Sequence, residues 1–371
     1  MAAAALCVVT ACSDKAAEVA VPAGANIAVV AHQLNEPLPA EVDAAWAQAN
    51  VQICRELEIP LSPTQGIDPM TAVVTMMEEI LPPGAVRIMK NVFGLKEGQK
   101  NLSASTFALT WNLPGVHGRP EYFFNSPEFL RGGLALTVLN KDFDYAAFRS
   151  DLWSMGPEAK KVIKEEGAWL KMDAQRELEG LFAGFREAKK NGLVFLFAAD
   201  QAKAEESYAG GSAEGAVAWA ISTKDLAKGP VLRVGVNKPG ELFRSTLSPR
   251  EQQEMSAQMP GIFDLTSFKL EIAYEGTALT ATVEVESSQE DALKQLEAMA
   301  QMAKLPVQMG LKQERMSAMA DFLGSIKIEA QKTTLTISCK VEPSVVVNVI
   351  KEYAANERER QARWASEYGE F

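Results

Sequence analysis

The 371 residues include two histidines, and each has a glutamate four positions on: His32 with Glu36, and His117 with Glu121. On a helix that spacing puts two metal ligands on one face. Both pairs stand near strand ends or loops beside Pro and Gly, where the spacing has no such meaning, so separate histidines are expected and no metal ligand is assigned. Gly210-Gly211-Ser212-Ala213-Glu214 approaches a nucleophile elbow, but the second Gly of G-x-S-x-G is replaced by Glu214. Asp142 and Asp144 bring two carboxylates together where a strand turns into a helix, a place for capping rather than for a metal. Cys54 and Cys339 belong to no C-x-x-C motif, which argues against structural zinc and thioredoxin-like chemistry. P-loop, dinucleotide-binding and H-E-x-x-H patterns are absent too. No catalytic residue and no cofactor is assigned. Hydrolysis by paired carboxylates needs no local motif and stays open.

The elements that would position such groups begin after an unusual leader. Met1 to Cys12 carries no charge, is small and apolar, and ends Val9-Thr10-Ala11-Cys12 before the polar Ser13-Asp14-Lys15. This ending resembles the lipobox of a bacterial lipoprotein signal peptide: an aliphatic residue, two small residues, then the cysteine that takes the lipid. The resemblance implies a diacylglyceryl group on the Cys12 thiol and Cys12 as mature N-terminus. Ser13 rather than an aspartate there implies the outer membrane in a two-membrane bacterium. It covers the leader alone and names no activity. Residues 13–25 read as a flexible tether. No later stretch has the ~18 apolar residues of a membrane span.

The firmest pattern lies near the C-terminus. Phe268, Leu270 and Ile272 alternate with polar residues, Gly276 offers a turn, and Leu279, Ala281, Val283 and Val285 alternate again. Ser287 with Glu290 reads as a capping box opening a helix through Leu293 and Leu296. The unit recurs 56 positions on without a gap: Ile272 becomes Ile328, Leu279 Leu335, Val283 Cys339, Val285 Val341, and Ser287 Pro343, which suits a first helical turn. Looser echoes run from Phe107 through Val138 to a helix after Asp144, and from Val217, Trp219 and Ile221 as a strand through Val236 to a helix after Pro239.

These units predict an α+β fold, with antiparallel sheets built from repeated strand-strand-helix units, helices on one face, and two related halves. The first half spans 26–156 and the second 193–371, the latter holding the repeat 268–304 and 324–360. Between them 157–192 reads as a helical connection, with Leu178, Leu181, Phe182 and Phe185 at helical spacing. Gln201 to Gly215 reads as a mobile loop. The aromatic stretch from Asn112 to Gly132 reads as a flap.

The net charge of −11 speaks against nucleic acid as a partner. Together these readings predict a lipid-anchored cell-envelope protein, with the membrane as one partner and an envelope protein as another, in a binding or structural role. The alternative is a secreted or periplasmic hydrolase working through carboxylates. Assembly through sheet edges or the charged C-terminal helix is the third expectation.

Overall fold

The structure, a computed structural model, describes residues 18–57, 82–95, 102–114, 128–156, 161–173, 180–210 and 213–368. The α+β expectation holds. Among the described residues twelve strands form one antiparallel sheet in the order β11-β12-β10-β9-β8-β1-β2-β3-β7-β6-β5-β4. In chain order they are β1 (Ile27–His32), β2 (Ala104–Trp111), β3 (Leu134–Asn140), β4 (Ile163–Glu166), β5 (Trp169–Met172) and β6 (Phe182–Glu187). The remainder are β7 (Gly192–Ala198), β8 (Val231–Asn237), β9 (Leu265–Glu275), β10 (Ala278–Ser287), β11 (Lys327–Gln331) and β12 (Thr334–Val341). Strand β1 pairs with β2 on one side and β8 on the other, so the sheet runs unbroken from one proposed half into the other.

One row of paired residues explains the continuity. Ile328, Ile337, Val283, Leu270, Val234, Val29, Leu109, Leu136, Phe195, Phe185 and Leu170 face one another strand by strand. A one-residue slip anywhere would turn one strand's apolar set to the opposite face. The neighbouring row on that opposite face has Gly235, Ala28, Thr110 and Ala135 at its middle. These small residues let backbone come close to the sheet.

The helices divide accordingly. Helix α1 (Ala40–Glu56) precedes α2 (Pro83–Phe93), with a short α3 (Glu128–Arg131) before β3 and α4 (Tyr145–Ser154) after it; α2 and α4 lie on the apolar-row face. Val92, Phe143, Phe148 and Leu152 from this group pack on Val138, Leu170 and Leu193. On the opposite face lie α5 (Gln201–Gly210) and α6 (Gly215–Ile221), so helices cover both faces of the sheet rather than the one expected. After β8 come α7 (Pro239–Thr246) and α8 (Pro249–Gln258), and beyond β10 come α9 (Glu290–Gln313), α10 (Ser317–Ser325) and α11 (Pro343–Tyr368). Leu293, Leu296 and Ala300 of α9 cover Val283, Val285, Ile328 and Leu335, while α11 packs on α1 and α10.

The 56-residue repeat is present in the register itself. Ala281 pairs with Ile272 in one hairpin, and Ile337 with Ile328 in the next. The hairpins then join through Thr282 opposite Ser338, two equivalent residues, which defines a local twofold normal to the sheet. Even the turns match: Gly276 has φ 60°, and its equivalent Lys332 has φ 52°.

Five further expectations are corrected. The tether ends by residue 18, because Val19, Ala20 and Val21 are buried. Ala20 N–H donates to Thr137 Oγ1 at 3.1 Å, and Thr110 Oγ1 donates to Ala20 O at 2.7 Å. This strap uses the space left by the small row. The helical connection 157–192 is instead β4, β5 and β6: Phe182 and Phe185 point to opposite faces, both covered, and burial on two faces mimics helical spacing. The loop from Gln201 is helix α5, whose N–H at Lys203 donates to Asp200 Oδ1 at 2.8 Å. Val217 to Ile221 is helix α6, not strand; its alternate alanines carry no strand preference, and it docks where Gly235 leaves room. The capping box at Ser287 does not form, since Ser287 Oγ donates to Asp264 O at 3.2 Å; a true one closes α8 through Ser248 and Glu251.

Both sheet edges are short and charged. Strand β4 carries Lys164, Glu165 and Glu166, and β11 carries Lys327 and Glu329, the features that discourage edge pairing.

Candidate binding cleft

Among the described residues the ladder between β5 and β6 holds only Leu170 with Phe185 and Lys171 with Gly184. Beyond those pairs β5 turns back to β4 through Gly167, and β6 continues to its turn at Ala188–Asn191. A cleft of about 490 Å³ opens there, between the two hairpin ends, the first turns of α4 and the end of α5.

One wall is built around Trp169. Its ring packs edge-on to Phe182 at 5.2 Å and Tyr208 at 5.8 Å between centroids. Gly184 makes room, because a Cβ there would meet Phe182 and Trp169 ring atoms at 3.1 and 3.3 Å. The Arg186 guanidinium lies 3.9 Å from the Tyr208 centroid and 5.4 Å from Trp169, within cation–π range. Glu205 joins them: one oxygen accepts from Trp169 Nε1 at 2.8 Å, the other from Arg186 Nη1 at 2.7 Å. Helix α5 presents Glu205 and Tyr208 because Ala204, buried, seats it on the sheet. Tyr208 Oη donates to Glu187 O at 2.9 Å.

The other wall comes from α4, capped by Asp144, whose Oδ1 accepts from Ala147 N–H at 2.9 Å. Tyr145 and Arg149, one turn apart, face the cleft, and Arg149 pairs with Glu165. Burial pushes the hydroxyl pKa of both Tyr145 and Tyr208 up, so both remain protonated at neutral pH. The walls therefore offer ring faces, hydroxyls and cations, with Glu165 and Glu187 lining the cleft beside them. No Ser, Thr, Cys or His is among the described residues lining the cleft, and no group of three or more His, Cys, Asp or Glu able to hold a metal occurs among the described residues.

A second cleft of about 460 Å³ borders Asn26, Leu113, Glu214, Asn237 and Lys238. There the amides of Asn26 and Asn237 bond backbone of Leu113 and of Glu214 and Ala216, which makes them loop fasteners.

Of the groups singled out in the sequence, none lines the β5–β6 cleft. Cys12, His117, Glu121 and Ser212 lie outside the described residues, as does most of the Asn112–Gly132 stretch. His32 is buried on β1, with Nε2 2.7 Å from Ala220 O. Cys54 is buried on α1, Cys339 is half-buried on β12, and both are free thiols. Trp169, Arg186 and Tyr208 were not anticipated. A signal existed: Gly167-Ala168 stands between Ile163–Glu166 and Trp169–Met172, a short hairpin pattern.

No protein-family model matches this chain, and no curated protein does. Among solved structures it is similar to crystal forms I, III and IV of TP0453. The alignments cover 90% of this chain in each case and 95%, 96% and 95% of those chains. Identities are 7%, 7% and 8%, and TM-scores 0.36, 0.34 and 0.35. A likeness of that size says nothing of what this chain binds.

Proposed function

We propose that this is a lipid-anchored protein of the cell envelope that works by binding rather than by catalysis, with the β5–β6 cleft as its ligand site. The observation that carries the binding role is the stack of Trp169, Arg186 and Tyr208 in a cleft whose described lining offers ring faces and cations. Such walls suit a small molecule with a flat apolar body and an anionic group. Arg149 is the natural anion partner, since its pair with Glu165 is exposed on both sides and held weakly. The envelope location rests on the lipobox-like Val9-Thr10-Ala11-Cys12. No helix among the described residues is long and apolar enough to cross a membrane; in this reading the lipid on Cys12 is the attachment.

Two measurements on protein from its source cells test the two parts. Intact mass should show a chain beginning at diacylglyceryl-modified Cys12, absent from a Cys12→Ala variant; an unmodified chain retaining Met1 refutes the anchor. Native mass spectrometry should show a small molecule carried through purification and lost in Arg186→Gln and Tyr208→Ala. A bound molecule equally retained by both variants refutes the cleft as its site.

A further inference from the structure

The second half of α9 is built inside out. Its first half is ordinary, with Leu293 fully buried against the sheet. From Gln301 onward three polar side chains bond toward α10 and β11. Gln301 Nε2 donates to Ile328 O at 3.2 Å, Lys304 Nζ to Gly324 O at 2.7 Å and Ile326 O at 2.8 Å, and Gln308 Nε2 to Ala320 O at 3.0 Å. These three residues, at i, i+3 and i+7, fasten the helix to α10 and β11. Four large apolar side chains face out: Met302 is 68% exposed, Leu305 63%, Val307 52% and Met309 63%. Together they leave roughly 400 Å² of apolar surface in contact with water, the size of the largest patch on a typical monomer.

The charge pattern narrows the partner. From Ala298 to Gln313 there is no carboxylate, and the charged residues are Lys304 and Lys312, in a chain of net charge −11. Lys312 is 60% exposed, 3.7 Å from an exposed Asp321. The shape narrows it further. At about 100° per residue, the arc from Leu305 through Met309, Met302 and Pro306 to Val307 spans roughly 200°. A seam for one helix of a second copy needs only a narrow stripe. A broad arc with no charged residue on it, edged by Lys312, suits a helix lying in the interface of a bilayer, apolar side submerged.

We infer that residues 298–313 of α9 form a membrane-surface contact for phospholipid, separate from any lipid on Cys12. The test uses the full chain carrying Cys12→Ser, which has no acyl acceptor, and vesicles of phosphatidylethanolamine and phosphatidylglycerol. The chain should float with the vesicles. M302Q/L305Q/M309Q should bind on the order of 100-fold more weakly, about 1 kcal/mol for each of the three partly submerged side chains. Its circular dichroism and urea midpoint should match the parent, because the altered side chains point into solvent. A parent chain that fails to float overturns the inference. So does flotation unchanged in the triple variant, which would assign binding to the leader. So does a parent dimer by light scattering that the triple variant dissociates, which would give the patch to a second copy.

Discussion

Arg233→Met separates two accounts of how α6 is held on the sheet. The Arg233 side chain is 4% exposed and reaches Glu271 Oε2 through Nε at 2.6 Å. Its Nη1 donates to Ser222 O at 2.9 Å, Lys224 O at 3.2 Å and Trp219 O at 3.4 Å, and Nη2 to Asp225 O at 3.4 Å. Its Cζ lies 4.8 Å from the Trp219 ring centroid. The guanidinium thus gathers the carbonyls at the end of α6. The short bond to Ser222 is worth about 1.5–3 kcal/mol as a charged hydrogen bond, and the three longer ones together about 1 kcal/mol. Stacking adds roughly 0.5–1 kcal/mol. The ion pair counts for less, about 1 kcal/mol, because Glu271 is 29% exposed and reaches water when its partner is gone. Methionine restores much of the volume but none of the donors, so the expected loss is about 4–6 kcal/mol, near the range for breaking a buried pair. Glu271→Gln, which leaves the carbonyl cluster intact, should cost about 1 kcal/mol. Urea denaturation of the three proteins, compared at constant m-value, gives both numbers. The carbonyl-gathering account is refuted if Glu271→Gln costs as much as Arg233→Met, or if Arg233→Met costs under about 1 kcal/mol.

Three further outcomes follow from other sites. Burial lowers the His32 pKa below 6.5, with Ala220 O raising it, Arg233 lowering it and Glu271 raising it. The folded state then binds fewer protons than the unfolded one below 6.5, so the stability it confers is present above that pH and lost as pH falls. The difference in urea midpoint between the parent and His32→Asn should therefore shrink between pH 7.5 and 5.5, and a difference that grows contradicts the assignment. Gly235→Ala should cost about 3 kcal/mol, since its Cβ would sit 2.0 Å from Ala216 O with no rotamer to relieve it; thermal melts read this directly. Lys332→Gly should be neutral to stabilising by up to about 1 kcal/mol and Gly276→Ala destabilising by about 1 kcal/mol, because both positions hold positive φ with the same turn geometry.

Most of the sheet is legible in the sequence where one face is buried and the other open. In β9 and β10 the alternation of Leu270 and Ile272, then Ala281 and Val283, names the strand, its face and its repeat. Legibility fails where both faces are covered. Phe182, Ala183, Leu181 and Phe185 lie between α4 on one side and α5 on the other, so period two vanishes. It fails again for Val217 and Ile221, because a five-residue window fits a strand and a short alanine-rich helix equally well. The cleft is hidden for the first of these reasons: where 157–192 reads as a helical connection, nothing shows Trp169 and Arg186 facing each other. The strap at Val19 to Val21 was hidden differently. Small apolar residues near a terminus look like linker until their partners are known, and those partners, Thr110 and Thr137, lie about a hundred residues away.

The strap also links the two proposed contacts with a membrane. If Cys12 is lipidated, the six residues from there to Glu18 reach at most about 20 Å when fully extended, so the strap cannot stand far from the bilayer. The strap is hydrogen-bonded into β2 and β3 at the middle of the sheet, and α9 covers the β10–β12 end. A lipid at one point and an apolar helix at the other would hold this single sheet by two fixed places, which sets its tilt rather than only its distance. The cleft lies at the opposite end, between β5 and β6, with six strands separating it from β9. At about 4.8 Å per strand that is roughly 30 Å or more of rigid ladder. Losing the α9 contact should therefore change orientation on the membrane without changing ligand retention in the cleft. A variant M302Q/L305Q/M309Q that also loses the bound molecule would show that the two ends are coupled, and that this division of labour along the sheet is wrong.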